Sequence, residues 1–201
     1  MQYSTIKARL YPNTEQAALF ENTFGCCRYI WNRMLADQQR FYLETDKHFI
    51  PTPAKYKKEA PFLKEVDNQA LIQEHNKLSQ AFRVFFKNPE CFGYPEFKKK
   101  KTDRDSFTAC NHEFESGPTI YITKDGLRLT KAGVVKAVFP RRPRNGWKLK
   151  RVTVEKTKTG KYFACILYEY AVMAPEPVVP TAETTLGLKY SMTMKCGRME
   201  F

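Results

Sequence analysis

The hydrophobic pattern of this chain changes period twice, and that change limits the folds open to it. Residues 2–10 alternate between apolar and polar, which predicts a half-buried strand. Apolar residues then recur about every 3.6 positions over 17–42 and again over 71–85, which predicts two helices. Beyond residue 118 the pattern returns to short strands. The chain is therefore expected to be α+β, with helices inserted between its first strand and the rest.

The predicted helices carry recognisable end signals. Asn13 and Gln16 have the spacing of a capping box, and the pattern they open continues to about Glu44. Asp67 is a candidate N-cap for the second helix, which Asn88-Pro89 should end.

The second half of the chain is predicted to be a connector followed by strands. Residues 89–105 are basic, and Pro95 forbids a regular helix through them. The predicted strands are Thr119–Thr123, Leu127–Leu129, Val134–Phe139, Lys148–Glu155 and Lys161–Tyr170. Runs of short strands favour a β-barrel. The proline-rich residues 174–180 are typical of a stiff linker.

Basic charge is concentrated in one stretch. Residues 83–161 hold 20 Lys and Arg against 8 Asp and Glu, out of 34 against 21 in the whole chain. Cations interleaved with aromatic residues suit a partner with phosphates and stackable bases. The first hypothesis is a nucleic-acid-binding protein, and the alternative is a solvated lysine face.

Composition narrows the remaining classes. There is no apolar run long enough for a membrane span and no apolar signal-peptide core at the N-terminus, so a cytosolic location is expected. Six cysteines and three histidines are scattered without the paired spacing of a zinc site, which favours structural thiols.

Several motifs, in the same order along the chain, resemble TnpB, the transposon-encoded ancestor of the type V CRISPR effectors. They are Arg9-Leu10-Tyr11-Pro12-Asn13 with Gln16, the run Gly25 to Asn32 that ends in Trp31-Asn32, Leu63 to Leu71, Ala81-Phe82 with Phe85-Phe86, Gly93-Tyr94-Pro95-Glu96-Phe97-Lys98, Ser106-Phe107-Thr108 and Thr159 to Phe163.

The resemblance implies both an architecture and a function. Residues 1–12 and 93–175 would form a wedge-like β-barrel with its basic connector, and residues 13–92 an inserted helical recognition lobe. A linker at 176–181 would lead into the first hairpin of a RuvC-like domain at 182–201. Such a protein binds a guide RNA and double-stranded target DNA beside a short motif, while base pairing reads the sequence.

One position departs from the family pattern. The slot of the first catalytic Asp holds Thr185, which cannot replace a carboxylate on Mg²⁺, and Glu183 is displaced along the strand by roughly 6–7 Å. The resemblance then implies no nuclease activity, no bound metal and a role as a transcriptional repressor at the nucleoid. The alternatives are an RNA-guided endonuclease whose catalytic part lies outside this chain, a decayed fragment that binds only RNA, and a plain DNA-binding module.

The family's motif-reading positions correspond to Asn68, Ile72 and Asn111. Ile72 offers only apolar contact, for instance with a thymine methyl group. Helix-start support for Asn68 and loop chemistry for Asn111 are the structural alternatives.

A larger set of cations is expected to contact nucleic-acid backbones without base preference. They are Lys98, Lys99, Lys100, Lys101, Arg104, Arg141, Arg142, Arg144, Lys148, Lys150 and Arg151. Tyr94 could stack on a base or pack on the core, and Phe97 is expected to pack on the core.

Overall fold

The first strand of the chain lies inside a large antiparallel sheet. The computed structural model describes residues 1–100, 104–115 and 117–171, which lie within one unit, Met1–Ala171. Its strands are β1 (Gln2–Tyr11), β2 (Ser106–Cys110), β3 (Glu113–Phe114), β4 (Gly117–Pro118), β5 (Tyr121–Ile122), β6 (Gly126–Leu129), β7 (Gly133–Val138), β8 (Lys148–Lys156) and β9 (Tyr162–Tyr170). Seven of them pair in the order β2-β8-β9-β1-β7-β6-β5, and β3 and β4 form a separate hairpin.

Both predicted helices are present, inserted between β1 and β2. Helix α1 (Thr14–Thr45) and helix α2 (Asn68–Lys87) are joined by two short 3₁₀ turns, Pro53–Lys57 and Pro61–Lys64. The Asp67 carboxylate accepts a hydrogen bond from the Gln69 backbone N–H at 2.9 Å, which confirms it as the N-cap of α2. Among the described residues, no helix combines the length and the apolar character that a bilayer span requires.

The core lies between α1 and one face of the sheet. Every second residue of β1 (Ile6, Ala8 and Leu10) is buried on that face, as the alternation predicted. Phe20 of α1 lies 5.7 Å from Phe107 of β2, measured between ring centroids. The opposite face of the sheet carries the polar residues of the same strands.

The start of α1 joins the helix to the sheet. The predicted capping box is confirmed: the Gln16 N–H donates to Asn13 Oδ1 at 2.8 Å, and the Asn13 N–H donates to Gln16 Oε1 at 3.1 Å. Gln16 Nε2 also donates to the carbonyls of Ala132 and Val134, at 3.0 and 2.9 Å. One side chain thus caps the helix and ties it to the start of β7.

Two expectations about the sheet were wrong. The sheet is open rather than a closed barrel, because β2 and β5 are edge strands with no ladder between them and β5 is only two residues long. Strand β2 was not among the predicted strands, although Phe107 and Ala109 are buried in it. The linker at 176–181 and the RuvC-like hairpin at 182–201 lie outside the described residues, and the proposed domain boundaries stay predictions.

The double role of Gln16 predicts a measurable loss of stability. Gln16→Leu leaves the Asn13 cap on the residue-16 N–H, but removes the reciprocal bond of the capping box and both bonds to the sheet. The free energy of unfolding should therefore fall by about 1–2 kcal/mol. Urea denaturation measures this change. Gln80→Leu, on the exposed side of α2, is the matched control and should change it by less than about 0.5 kcal/mol. Equal values for the two variants would contradict the role given to Gln16.

Candidate nucleic-acid interface

The basic connector is held on α1 by its own backbone. Trp31 Nε1 donates to the Glu96 carbonyl at 2.9 Å. Asn32 brackets Lys98, because its Nδ2 donates to the Lys98 carbonyl at 3.0 Å and its Oδ1 accepts from the Lys98 N–H at 2.8 Å. These bonds stand in for a strand partner along a segment that has no regular secondary structure. The adjacent Trp31-Asn32 pair of the sequence motif therefore has a structural function.

Lys98 is used by the fold. Its Nζ lies 2.6 Å from Oε2 of Glu74 and 4.0 Å from the centroid of the Trp31 ring. Glu74 is fully buried in α2, and its other oxygen accepts from Lys77 at 2.6 Å. A buried carboxylate needs such partners, so the first lysine of the run is an internal counter-ion rather than a good candidate for a phosphate contact.

The rest of the lysine run is displayed on the surface. Lys99 and Lys100 are exposed directly after the anchored Lys98. Lys101 lies outside the described residues. Because the preceding backbone is fixed on α1, the two exposed lysines occupy a defined place beside the helices.

The two connector aromatics have different surroundings, and only Phe97 departs from its prediction. The Tyr94 hydroxyl donates to Gln38 Oε1 at 2.9 Å, and its ring meets those of Phe82 and Phe85 in T-shaped contacts at 5.3 and 5.4 Å between centroids. It is nevertheless 41% exposed, so part of it remains open to a base. Phe97 is 45% exposed, and its expected packing on the core was wrong.

The predicted cations of the sheet region all lie at the surface, with different partners. Arg104 Nη1 is 3.6 Å from Glu155, Lys150 Nζ is 3.2 Å from Glu169, and Arg141 donates to Ser4 Oγ and the Thr5 carbonyl, both at 3.3 Å. The other four are exposed on the turn between β7 and β8 or at the start of β8: Arg142, Arg144, Lys148 and Arg151.

The motif-reading residues lie near the start of α2 and the end of β2. Asn68 is exposed, and its Oδ1 accepts from Lys57 Nζ at 2.6 Å, while Ile72 one turn later is half-buried. Burial raises the pKa of the Cys110 thiol, while the Arg151 charge opposes the shift and the Asp67 carboxylate adds to it. Helix α2 packs on β2, which ends at Cys110, next to Asn111. Their roles as DNA readers stay predictions.

The amide of Asn111 is largely occupied by the protein. Its Nδ2 donates to the Leu149 carbonyl at 3.2 Å, and its Oδ1 accepts from the Ile120 N–H at 2.9 Å and from the Thr119 hydroxyl at 3.2 Å. This is the loop chemistry considered as the alternative. One Nδ2 hydrogen remains for a further partner.

A groove of about 530 Å³ lies between α2 and β8. Amide and cationic side chains line it over an apolar floor, and the lining residues are Gln73, Asn76, Lys77, Gln80, Ala81, Val84, Phe92, Gly93 and Arg151. It runs along α2 beyond Ile72. Such a lining can accept hydrogen-bonding and flat apolar groups together, which is what a nucleotide offers.

Several structurally important residues were missed by the sequence argument. Glu74 was missed because it lies beside the apolar stripe of α2, where a carboxylate normally indicates solvent exposure. Arg9 lies on the outward face of β1, as the alternation predicted, but no role was assigned to its charge beyond its place in a motif. The strict alternation of residues 2–10 was the available signal for its position.

A family model described as a helix-turn-helix domain, HTH_OrfB_IS605, matches residues 1–47. Over those residues the structure has β1 followed by the single helix α1. The match is therefore a likeness of sequence over residues 1–47, and those residues do not form a helix-turn-helix.

Two curated relatives extend the match. A "Putative RNA-guided DNA endonuclease" of Streptomyces pristinaespiralis is 27% identical over 201 residues, covering 95% of this chain and 48% of that protein. A "Putative RNA-guided DNA endonuclease InsQ" of Escherichia coli (strain K12) is 27% identical over 177 residues, covering 84% and 41%. The chain thus spans less than half the length of either relative. Together these matches support a TnpB-type protein and confirm the resemblance inferred from the motifs.

The expectation that this chain is not an enzyme is corrected by the same comparison. Both relatives are named as endonucleases, which indicates an enzyme family. Loss of a catalytic residue is not shown, because Thr185 and Glu183 lie outside the described residues. Within 1–100, 104–115 and 117–171, no three His, Cys, Asp or Glu side chains come together in a group that could hold a metal ion.

The two kinds of lysine in the connector predict opposite phenotypes. Lys98→Met leaves the buried Glu74 with one cation fewer, so the free energy of unfolding should fall by about 2 kcal/mol. Lys100→Met is the matched control, and it should leave stability within about 0.5 kcal/mol of the wild type while weakening nucleic-acid binding. Thermal denaturation and filter binding measure the two effects. A stable Lys98→Met protein with weakened binding would reverse the assignment.

Proposed function

We propose that the described residues form the nucleic-acid-binding part of an RNA-guided DNA-binding protein. The observation that carries the proposal is the match along nearly the whole chain to a relative named as RNA-guided. On this proposal the chain binds a guide RNA, and the guide pairs with one strand of a DNA duplex. The protein itself supplies shape recognition, backbone contacts and motif reading.

The distribution of cations supports this proposal. Arg142 and Arg144 are exposed beside the sheet, and Lys99 and Lys100 are exposed on the anchored connector. Counter-ions displaced from phosphates by such residues make a large, salt-dependent contribution to affinity. Neither arginine side chain has a hydrogen bond or an ion pair to another described residue, so both guanidinium groups are open to an anion.

We further propose that the start of α2 lies at the target-adjacent motif. Asn68 is exposed there, and Ile72 offers apolar contact one turn further on. The groove with Gln73, Asn76 and Gln80 continues the same surface. A location at the nucleoid would follow from DNA binding and stays a prediction.

The RNA that co-purifies with the chain tests the first step. We expect one predominant species with a structured scaffold and a variable 3′ segment. A duplex matching that segment should then bind in a gel-shift assay only when the RNA is present. Binding that is specific without RNA would indicate a plain DNA-binding module, and RNA without any DNA binding would indicate a decayed fragment.

Adding Mg²⁺ to the complex of protein, RNA and DNA distinguishes a protein that only binds its target from one that cleaves it. A transcriptional repressor holds the duplex uncut, whereas an endonuclease of the kind that the relatives are named for cuts it. Denaturing gels of the end-labelled strands distinguish the two outcomes.

Charge variants test the surface. Arg142→Gln with Arg144→Gln should weaken RNA binding about tenfold and reduce the slope of log affinity against log salt by about 1.4 for a single strand. Lys47→Gln with Lys58→Gln removes the same charge from exposed positions in the loop between the helices and serves as the control. Equal losses in both variants would indicate a general charge effect rather than this surface.

A further inference from the structure

The face of the sheet turned away from the helices carries a cluster of cations and aromatic rings to which neither the sequence motifs nor the relatives assign a role. Residues of β1 that alternate with the buried ones point outward there, together with their neighbours on β9 and β7. We call this cluster the outer patch, and its members are Lys7, Arg9, Tyr11, Lys136, Val138 and Phe163. Val138 is 56% exposed and Tyr11 is 50% exposed, so the described residues leave the patch uncovered.

Arg9 occupies the centre of the outer patch without an anionic partner. Its guanidinium carbon lies 4.9 Å from the centroid of Phe163 and 5.4 Å from that of Tyr11, so two aromatic rings hold it in place. Its Nη1 is buried and makes no hydrogen bond in the structure. Leaving charged donors without acceptors is costly, and a bound anion would lower that cost.

Lys136 places a second cation beside Arg9. It lies opposite Tyr11 in the β1–β7 ladder, diagonal to Arg9, at a distance of about 7–8 Å for such neighbours in a sheet. The Lys136 side chain is exposed and has no hydrogen bond or ion pair with the described residues. Lys7 differs, because it is paired with Glu155. The unneutralised charge of the patch is therefore the pair Arg9 and Lys136.

We propose that the outer patch binds a single-stranded segment of RNA, with phosphates at Arg9 and Lys136 and a base stacked on Tyr11. Charge and shape both favour this ligand. Two cations without an anionic partner favour a bound anion. The half-exposed ring of Tyr11 beside them offers a face on which an unpaired base can stack. A duplex keeps its base faces stacked inside and could use only the cations. The inference rests on the proposed function, which supplies RNA as the bound partner.

Binding of an oligouridine RNA to the full chain, purified free of nucleic acid, tests the proposal. Arg9→Gln with Lys136→Gln should lower the affinity about tenfold and reduce the salt slope by about 1.4. Tyr11→Leu keeps the charge and should lower the affinity about tenfold without changing the slope, because only stacking is lost. Lys47→Gln with Lys58→Gln, matched in charge, should remain within about twofold of the wild type.

The outcomes separate this inference from the proposed function. If the folded Arg9→Gln, Lys136→Gln variant keeps the wild-type affinity and salt slope, the outer patch does not bind RNA. The proposed function would still stand, with RNA bound elsewhere on the chain. A wild-type chain that binds no RNA would overturn both. Losses seen with oligothymidine DNA but not with RNA would overturn the RNA assignment.

Thermal denaturation checks that each variant is folded. If Arg9→Gln prevents folding, Lys136→Gln alone carries the test, because that exposed side chain has no hydrogen bond or ion pair to lose among the described residues. It should reduce the slope by about 0.7, and an unchanged slope would overturn the proposal.

Discussion

The buried carboxylate of Glu74 is the interaction on which the arrangement of the helices and the connector depends. It accepts from Lys77 on its own helix and from Lys98 on the connector, while Lys98 also lies over the ring of Trp31 on α1. One charge-assisted cluster thus joins three segments that are distant in sequence. A charge buried this deeply is stable only while its partners are present, so the cluster favours one position of the connector over others.

The basic residues fall into two groups, those that face a carboxylate of the protein and those that do not. Lys98 neutralises an internal acid, and Lys150 and Arg104 face acids on the sheet. Arg142, Arg144 and Lys136 have no such partner among the described residues. Net charge favoured a nucleic-acid partner, yet it could not tell these two groups apart. A lysine that faces a carboxylate and one that faces solvent are identical in sequence.

Local sequence signals predicted both helices and the first strand, but they did not predict which strands pair in the sheet. The capping box at Asn13, the N-cap at Asp67 and the alternation of β1 act over a few residues, so the sequence contains them directly. The open sheet depends on which strands pair, and the motifs favoured a barrel because strand count alone does not specify closure. Asn111 shows the same limit within the candidate site: its residue type suits base reading, but its amide bonds are set by Leu149 and Ile120.

The position of β1 between β9 and β7 has a consequence for how the chain acquires its structure. Gln2 pairs with Tyr170, 168 residues further along, so the strand made first must wait for the last strand of the sheet. Helices α1 and α2 rely on local contacts and can form much earlier. Formation of the sheet, with its large loop closure, should therefore limit the folding rate. During synthesis, residues 2–8 of β1 remain unpaired until β9 has emerged from the ribosome, because β7 pairs only with Arg9 to Tyr11.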